Sequence, residues 1–375
     1  MKPKSKIFIF RFLVLGSLKY ARRWAINCVK VLIGRKPSFT HQEVFFRQYL
    51  RLGLRIRKVT CVVYYSLEGA CSQALNVMWA INFARACGLT YVHTPFNRIW
   101  HADRPMREWV DAWEAHFNLG MGEVAADLMT LPTGSTTAEI PLLADNREIV
   151  NFYYNNGDLL RLFGLSDDDL TRMFDATIPE FRRKYYSNKS PRRNEVLTVC
   201  VHVRRGDTLA DGSRTDRLLN RDMWTSTSFI AETIAKVRAV LDAHCIKYKI
   251  CVFSHPEAFG ELRDILVDAS ASYLIRQFEA GVDAVQIFDG WADPFWSMQE
   301  LIEADILIMA KSSFSYVSAL LSDGIKIYEP WLGYPPLSSW VIRDPNGEFD
   351  CTAFERQLLR HIEPRKAAFS HQHVT

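Results

Sequence analysis

From residue 196 to residue 328, apolar runs of strand length alternate with segments of helical pattern, and this alternation restricts the fold more than any other feature. Residues 196–203, 248–253, 284–288, 305–309 and 325–328 read as strands, apolar on both faces and rich in β-branched side chains. Helical patterns separate them over 228–243, from Pro256, from Asp293-Pro294 to near Glu303, and through Ser315 to Leu321. Proline suits a first helical turn, where its missing N–H costs no hydrogen bond. Strand and helix in turn at this pace predict a doubly wound parallel sheet.

The first half of the chain follows the same scheme. Residues 59–65 read as a strand, and a polar turn leads into a helical pattern over Ala70–Cys87, closed by Gly88. Residues 89–93 read as the next strand. In such a unit the turn after the first strand faces the ligand side, so Glu68, Gly69, Ser72 and Gln73 are expected to line a cleft. A tight turn with a capped helix is the plainer alternative. Residues 96–120 interleave Trp100, His101, Trp109, Trp113, His116 and Phe117 with Asp103, Arg104 and Arg107. Aromatic faces beside hydrogen-bonding groups suit sugar rings, but Trp109 and Trp113, four residues apart, read better as a core stripe. Ser166 followed by three aspartates reads as a helix cap with acids in the first turn. The basic stretch 182–193, bounded by Pro191, reads as an interdomain link. The expected organisation is a basic amphipathic arm over 1–57, α/β domains over 58–190 and 191–345, and a C-terminal extension over 346–375.

Charge separates the arm from the body. Ten lysines and arginines fall in residues 1–42 with no acid before Glu43, so the formal net charge of +4 leaves the remainder at −6. A mildly acidic body argues against nucleic-acid binding. The apolar run in the arm is broken by Arg11, Lys19, Arg22 and Arg23 before it reaches the roughly 20 residues a spanning helix needs. Residues 1–36 are therefore expected to lie on an anionic membrane surface, with the protein cytoplasmic and peripheral. The alternative is an N-terminal signal-anchor with a lumenal catalytic domain. The eight cysteines show no C-x-x-C spacing and read as buried free thiols.

The strand over 196–203 ends on His202, Arg204, Arg205 and Asp207, with Gly206 free to turn sharply. A core strand that ends in two arginines is costly without an anion to meet them. The arginine fork is suited to phosphate, and ligands in open α/β sheets sit beyond the carboxyl ends of the strands. Ser254 and His255 end another strand. The run Ala310-Lys311-Ser312-Ser313-Phe314-Ser315 joins a strand to a helix, where backbone N–H groups and hydroxyls can cradle an anion. Simple capping is the alternative for the two serines. No Gly-rich phosphate loop, dinucleotide fingerprint or H-E-x-x-H is present.

The run His202-Val-Arg204-Arg205-Gly206-Asp207 resembles the first motif, H-x-R-R-x-D, of the α-1,2/α-1,6 fucosyltransferase superfamily, nearest to glycosyltransferase family 11. Gly69-Ala-Cys-Ser72-Gln73 is similar to that branch's G-L-G-N-Q, and Asp305 through Ser315 to the superfamily's last motif. The resemblance implies a GT-B fold of two Rossmann-like α/β domains, the acceptor on the N-terminal one and a nucleotide sugar, GDP-fucose, on the C-terminal one. It implies that Arg204 and Arg205 grip the pyrophosphate with Ser313, that His202 lines the donor site, and that Asp305 bonds the guanine. Fucose would pass with inversion to a glycan hydroxyl, without metal or cofactor. Asp211, Asp207 and Glu68 are candidate bases, Asp207 being equally suited to orienting an arginine. Departures fall at His255 and Pro256, at Cys71 and Ser72, and at Gly212. The alternatives are a GT-B enzyme using another nucleotide sugar, or a non-catalytic membrane-associated nucleotide or glycan binder.

Overall fold

In a computed structural model of the chain, the residues described are 58–61, 69–96, 98–99, 102, 104–125, 149–151, 166–191, 196–204, 225–254, 285–289, 293–331 and 334–372. Residues 1–57, residues 62–68 (the end of the strand expected over 59–65 and the start of the turn after it) and the helix expected from Pro256 lie outside them. The chain divides between Ser187 and Asn188 into two units, both α/β and each built on a parallel sheet.

The first unit runs β1 (Lys58–Thr60), α1 (Ala70–Cys87), β2 (Thr90–His93), α2 (Met106–Phe117), β3 (Val124–Ala125), β4 (Ile149–Asn151) and α3 (Asp167–Tyr185). Its strands lie in the order β3-β2-β1-β4, all parallel. Helix α1 is apolar almost all round because it is buried almost all round: Ala74, Met78, Ala80, Ile81 and Ala84 have no exposure. It stops at Gly88, whose φ of 67° is costly for any residue with a Cβ. Ser166 begins α3 with a capping box, its hydroxyl accepting the Asp169 N–H while the Asp169 carboxylate accepts the Ser166 N–H. Trp109 and Trp113 are buried beside His116 and Phe117, with the Trp113 and Phe117 rings stacked 5.2 Å apart. This stretch of α2 is core.

One expectation needs correction. Residues 182–184 do not belong to a link, since α3 continues through them to Tyr185. Lys184 is 1% exposed. Its ammonium donates to the Leu119 carbonyl at 2.7 Å and to Glu123 at 2.5 Å.

The second unit runs β5 (Leu197–His202), α4 (Thr227–Ala243), β6 (Tyr248–Ser254), β7 (Val285–Asp289), α5 (Pro294–Ile302), β8 (Ile306–Ile308), α6 (Ser313–Leu321), β9 (Ile325–Tyr328), β10 (Val341–Ile342) and α7 (Cys351–Gln372). The order β10-β9-β8-β5-β6-β7 is parallel throughout. Phe354, Leu358 and Ile362 of α7 join the apolar cluster formed by Val199, Ile250 and Ile306, so the C-terminal helix is part of this core and not an appendage to it. From β5 the chain steps outward through β6 to β7, then returns to the other side of β5 and steps outward again through β8, β9 and β10. The strand order therefore reverses between β5 and β8. In open α/β sheets that reversal leaves a crevice at the carboxyl ends of the two strands.

Candidate functional site

Strands β5 and β8 are paired in register, Val201 opposite Ile308. Beyond their carboxyl ends, Val203 and Arg204 leave one strand, and residues 309–312 lead from the other into α6. Ser312 caps α6, its hydroxyl accepting the Phe314 N–H at 3.2 Å, so the capping alternative describes what its oxygen does. Ser313 is the first residue of the helix.

The contact that joins the two sides of the crevice comes from Ser315. It has no exposure, its Oγ accepts the Ala310 N–H at 3.1 Å, and it lies 2.5 Å from Nδ1 of His202. The Ser315 hydroxyl thus accepts from Ala310 with one lone pair and shares a second hydrogen bond with Nδ1 of the ring. Burial, assisted by the nearby Arg204 charge, pushes the His202 pKa down to about 3, so the ring is neutral at ordinary pH. Phe314 packs at its side, ring centroids 5.6 Å apart. In the sequence Ser315 stands only at the end of the run from Ala310 and of the last motif, with no partner indicated. Its place three residues after the cap, in the first turn of a helix that leaves the sheet edge, is what brings it to His202.

Arg204, half-buried, directly follows this strand. Its charge is permanent. Ser254 ends β6, next to β5; its hydroxyl is buried and has no hydrogen-bond partner among the described residues. Arg205, Asp207 and Asp211 lie outside the described residues, as do His255 and Glu68.

Asp305 is not brought to this edge. It precedes β8, at the amino end of the sheet, and is 2% exposed. One carboxylate oxygen accepts the Thr198 N–H at 2.8 Å, and the other meets His361 of α7 at 2.9 Å. It ties the start of β5 to the C-terminal helix, which is why an acid stands before an apolar strand. Asp305→Ala is accordingly expected to lower stability by about 1–3 kcal/mol in urea unfolding, the cost of orphaning buried polar groups. Nucleotide affinity should be unchanged, and a selective loss of affinity would return Asp305 to the ligand.

The turn of the first unit also differs from expectation. Gln73 faces inward, without exposure, its amide donating to the Arg98 carbonyl at 2.7 Å. Gly69 is the residue before α1, its carbonyl accepting the Gln73 N–H, and Ser72 is half-buried. At the carboxyl end of β2, His93 pairs with Glu114 of α2 at 3.0 Å, and the same carboxylate accepts the Phe96 N–H. No feature of the sequence links those two residues. Among the described residues no group of three or more histidines, cysteines or acids is placed to hold a metal ion, and no helix is long and apolar enough to cross a membrane.

Comparison with known proteins gives two partial likenesses. The family model for uroporphyrinogen decarboxylase matches residues 242–297, from the end of α4 through β6 and β7 into α5. A uroporphyrinogen decarboxylase of Sinorhizobium fredii is 54% identical over 44 residues, 12% of this chain and 13% of that protein. The Phenylobacterium zucineum protein of the same name is 28% identical over 112 residues, 30% of this chain and 28% of that protein. The chain thus spans well under a third of the length of these relatives. Among solved structures, the E. coli ADP-heptose lipopolysaccharide heptosyltransferase II aligns over 83% of this chain and 100% of its own, at 10% identity and a TM-score of 0.36, a likeness that carries no argument about function. These findings overturn the expected fucosyltransferase resemblance: the family model that matches bears a different name, and Asp305, central to the last motif, is committed to the interior of the fold.

Proposed function

We propose that this chain is a nucleotide-sugar-dependent glycosyltransferase whose second unit holds the donor diphosphate at the carboxyl edge of β5 and β8. The observation that carries this is the His202–Ser315 contact at the strand-order reversal, with Arg204 directly beyond it. Arg204 is a permanent cation, the N–H groups at the start of α6 are donors, and the neutral His202 ring, held by Ser315, sits beside them. The buried Ser254 hydroxyl, unpartnered among the described residues, would gain a partner from a polar ligand at this edge. Donors fixed toward a leaving diphosphate stabilise the charge that grows on it as the sugar departs. A glycan hydroxyl is the acceptor in this reading. Transfer of fucose from GDP-fucose with inversion is the specific reaction to test first.

A thermal-shift panel of GDP-fucose, GDP-mannose, UDP-sugars, ADP-sugars and the free diphosphates identifies the base and sugar. A ligand that binds only the folded protein, at 100 times its Kd, adds about 2.7 kcal/mol of stability. For a domain of roughly 150–250 residues this raises Tm by about 2–4 °C per kcal/mol. No shift with any of them contradicts the proposal. Decarboxylation of uroporphyrinogen is the second reading, favoured by the match over residues 242–297. That stretch omits Arg204 and α6, so consumption of uroporphyrinogen that survives loss of Arg204 would select it.

A further inference from the structure

Three neighbouring parallel strands each deliver one charged residue to the carboxyl edge: Lys311 follows β8, Glu329 follows β9 and Arg343 follows β10. Arg343 is 1% exposed and Glu329 4%. The Arg343 guanidinium donates to one Glu329 oxygen at 2.8 Å and to Thr233 of α4 at 3.2 Å. The Thr225 hydroxyl approaches the same carboxylate oxygen at 3.4 Å. The second oxygen lies 2.5 Å from Nζ of Lys311. Two cations thus share one carboxylate. Asp344, next to Arg343, is exposed, and its carboxylate accepts the N–H groups of Asn346 and Glu348.

The three charges differ in what they can reach. Arg343 and Glu329 are sealed from solvent, whereas the Lys311 side chain keeps 15% of its exposure and stands immediately before the cap of α6. An ammonium has three donors, and among the described residues its one ion pair is with Glu329. A lysine on its four-carbon stem loses considerable rotamer freedom when fixed, so a cation meant to meet a ligand benefits from being fixed beforehand. A free carboxylate would do this poorly. One clamped by a buried arginine holds a single direction.

We propose that Lys311 is the second cation of the anion site, contacting phosphate oxygens of the bound diphosphate, and that Glu329, clamped by Arg343, is the positioning residue that aims it. This rests on the reading of the edge as a diphosphate site. The test is calorimetric titration of inorganic pyrophosphate, and of the nucleoside diphosphate chosen by the thermal-shift panel, into the full chain and its variants. Lys311→Met leaves the Glu329–Arg343 pair intact and is expected to weaken binding about 10- to 100-fold, the range for a hydrogen bond to a charged group. Glu329→Gln should weaken it by a similar factor in the wild type and by no further factor in the Lys311→Met background. A purely structural Glu329 would weaken both backgrounds alike. Glu329→Asp, which keeps the charge for Arg343 but shortens the reach to Lys311, serves if the glutamine variant does not fold, with the same dependence on Lys311 expected. Wild-type affinity in Lys311→Met, or equal losses in the two backgrounds, overturns the inference alone. Failure of the wild type to bind either anion overturns the diphosphate reading and this inference together.

Discussion

Replacing Arg204 by alanine is expected to lower sugar transfer by about 10²–10³-fold, the usual cost of removing one preorganised electrostatic donor, while the chain still melts cooperatively near the wild-type temperature. Arg204 stands beyond the end of β5, outside the apolar cluster that holds the second sheet together. Its loss opens no cavity in that core. The neighbouring His202 cannot replace it, because burial keeps the imidazole uncharged far below neutral pH. Arg204→Lys retains a charge but not the planar fork that meets two phosphate oxygens at once, so partial activity is expected. Steady-state transfer kinetics with a folding check by near-UV circular dichroism read both effects. Full activity in the alanine variant would remove the anion site from the mechanism.

The second large effect falls on stability. Lys184→Ala is expected to destabilise the first unit by about 3–5 kcal/mol, because it leaves a buried carboxylate without its cation. The Glu123 side chain is 4% exposed, and Lys184 also holds the Leu119 carbonyl. Arg85 reaches Glu123 as well, at 2.5 Å, but its side chain is 36% exposed and solvent screens much of what that pair contributes. The double variant Lys184→Met with Glu123→Gln should recover much of the loss, since it leaves no buried charge unpaired and only the Leu119 carbonyl without its donor. Urea unfolding measures both as shifts in midpoint at constant slope. A single variant within about 0.5 kcal/mol of wild type, as at ordinary surface positions, would mean that the lysine is not buried as described.

What the sequence discloses of this fold follows from where each signal originates. A strand covered on both faces is an apolar run, so β5 to β9 are visible one by one, while the two-residue β10 is too short to leave such a run. Gly88 and Ser166 act on their own backbone within a few residues, so the helix ends they define are visible too. The strand order is not local, and the site depends on it. Arg204 and His202 can be suspected because they end a strand. Ser315 acquires its role only when β8 is laid against β5, bringing together residues 113 apart in the chain. Asp305 looks like a ligand-binding acid until α7 brings His361 to it across 56 residues. Lys184 reads as one more charge in a basic run because its partner, Glu123, lies 61 residues earlier. In each case a polar side chain was legible and its destination was not.

In the proposed reading a nucleoside diphosphate sits where the strand order reverses in the second sheet. Amide hydrogen exchange with and without a saturating nucleoside diphosphate tests it most directly, since bound backbone is protected where the ligand closes over it. Protection is expected at both sides of the crevice together, over residues 201–204 and 310–316, with little change at Asp305 or in the first sheet. Protection confined to other segments, or none at a concentration that saturates binding, would contradict it.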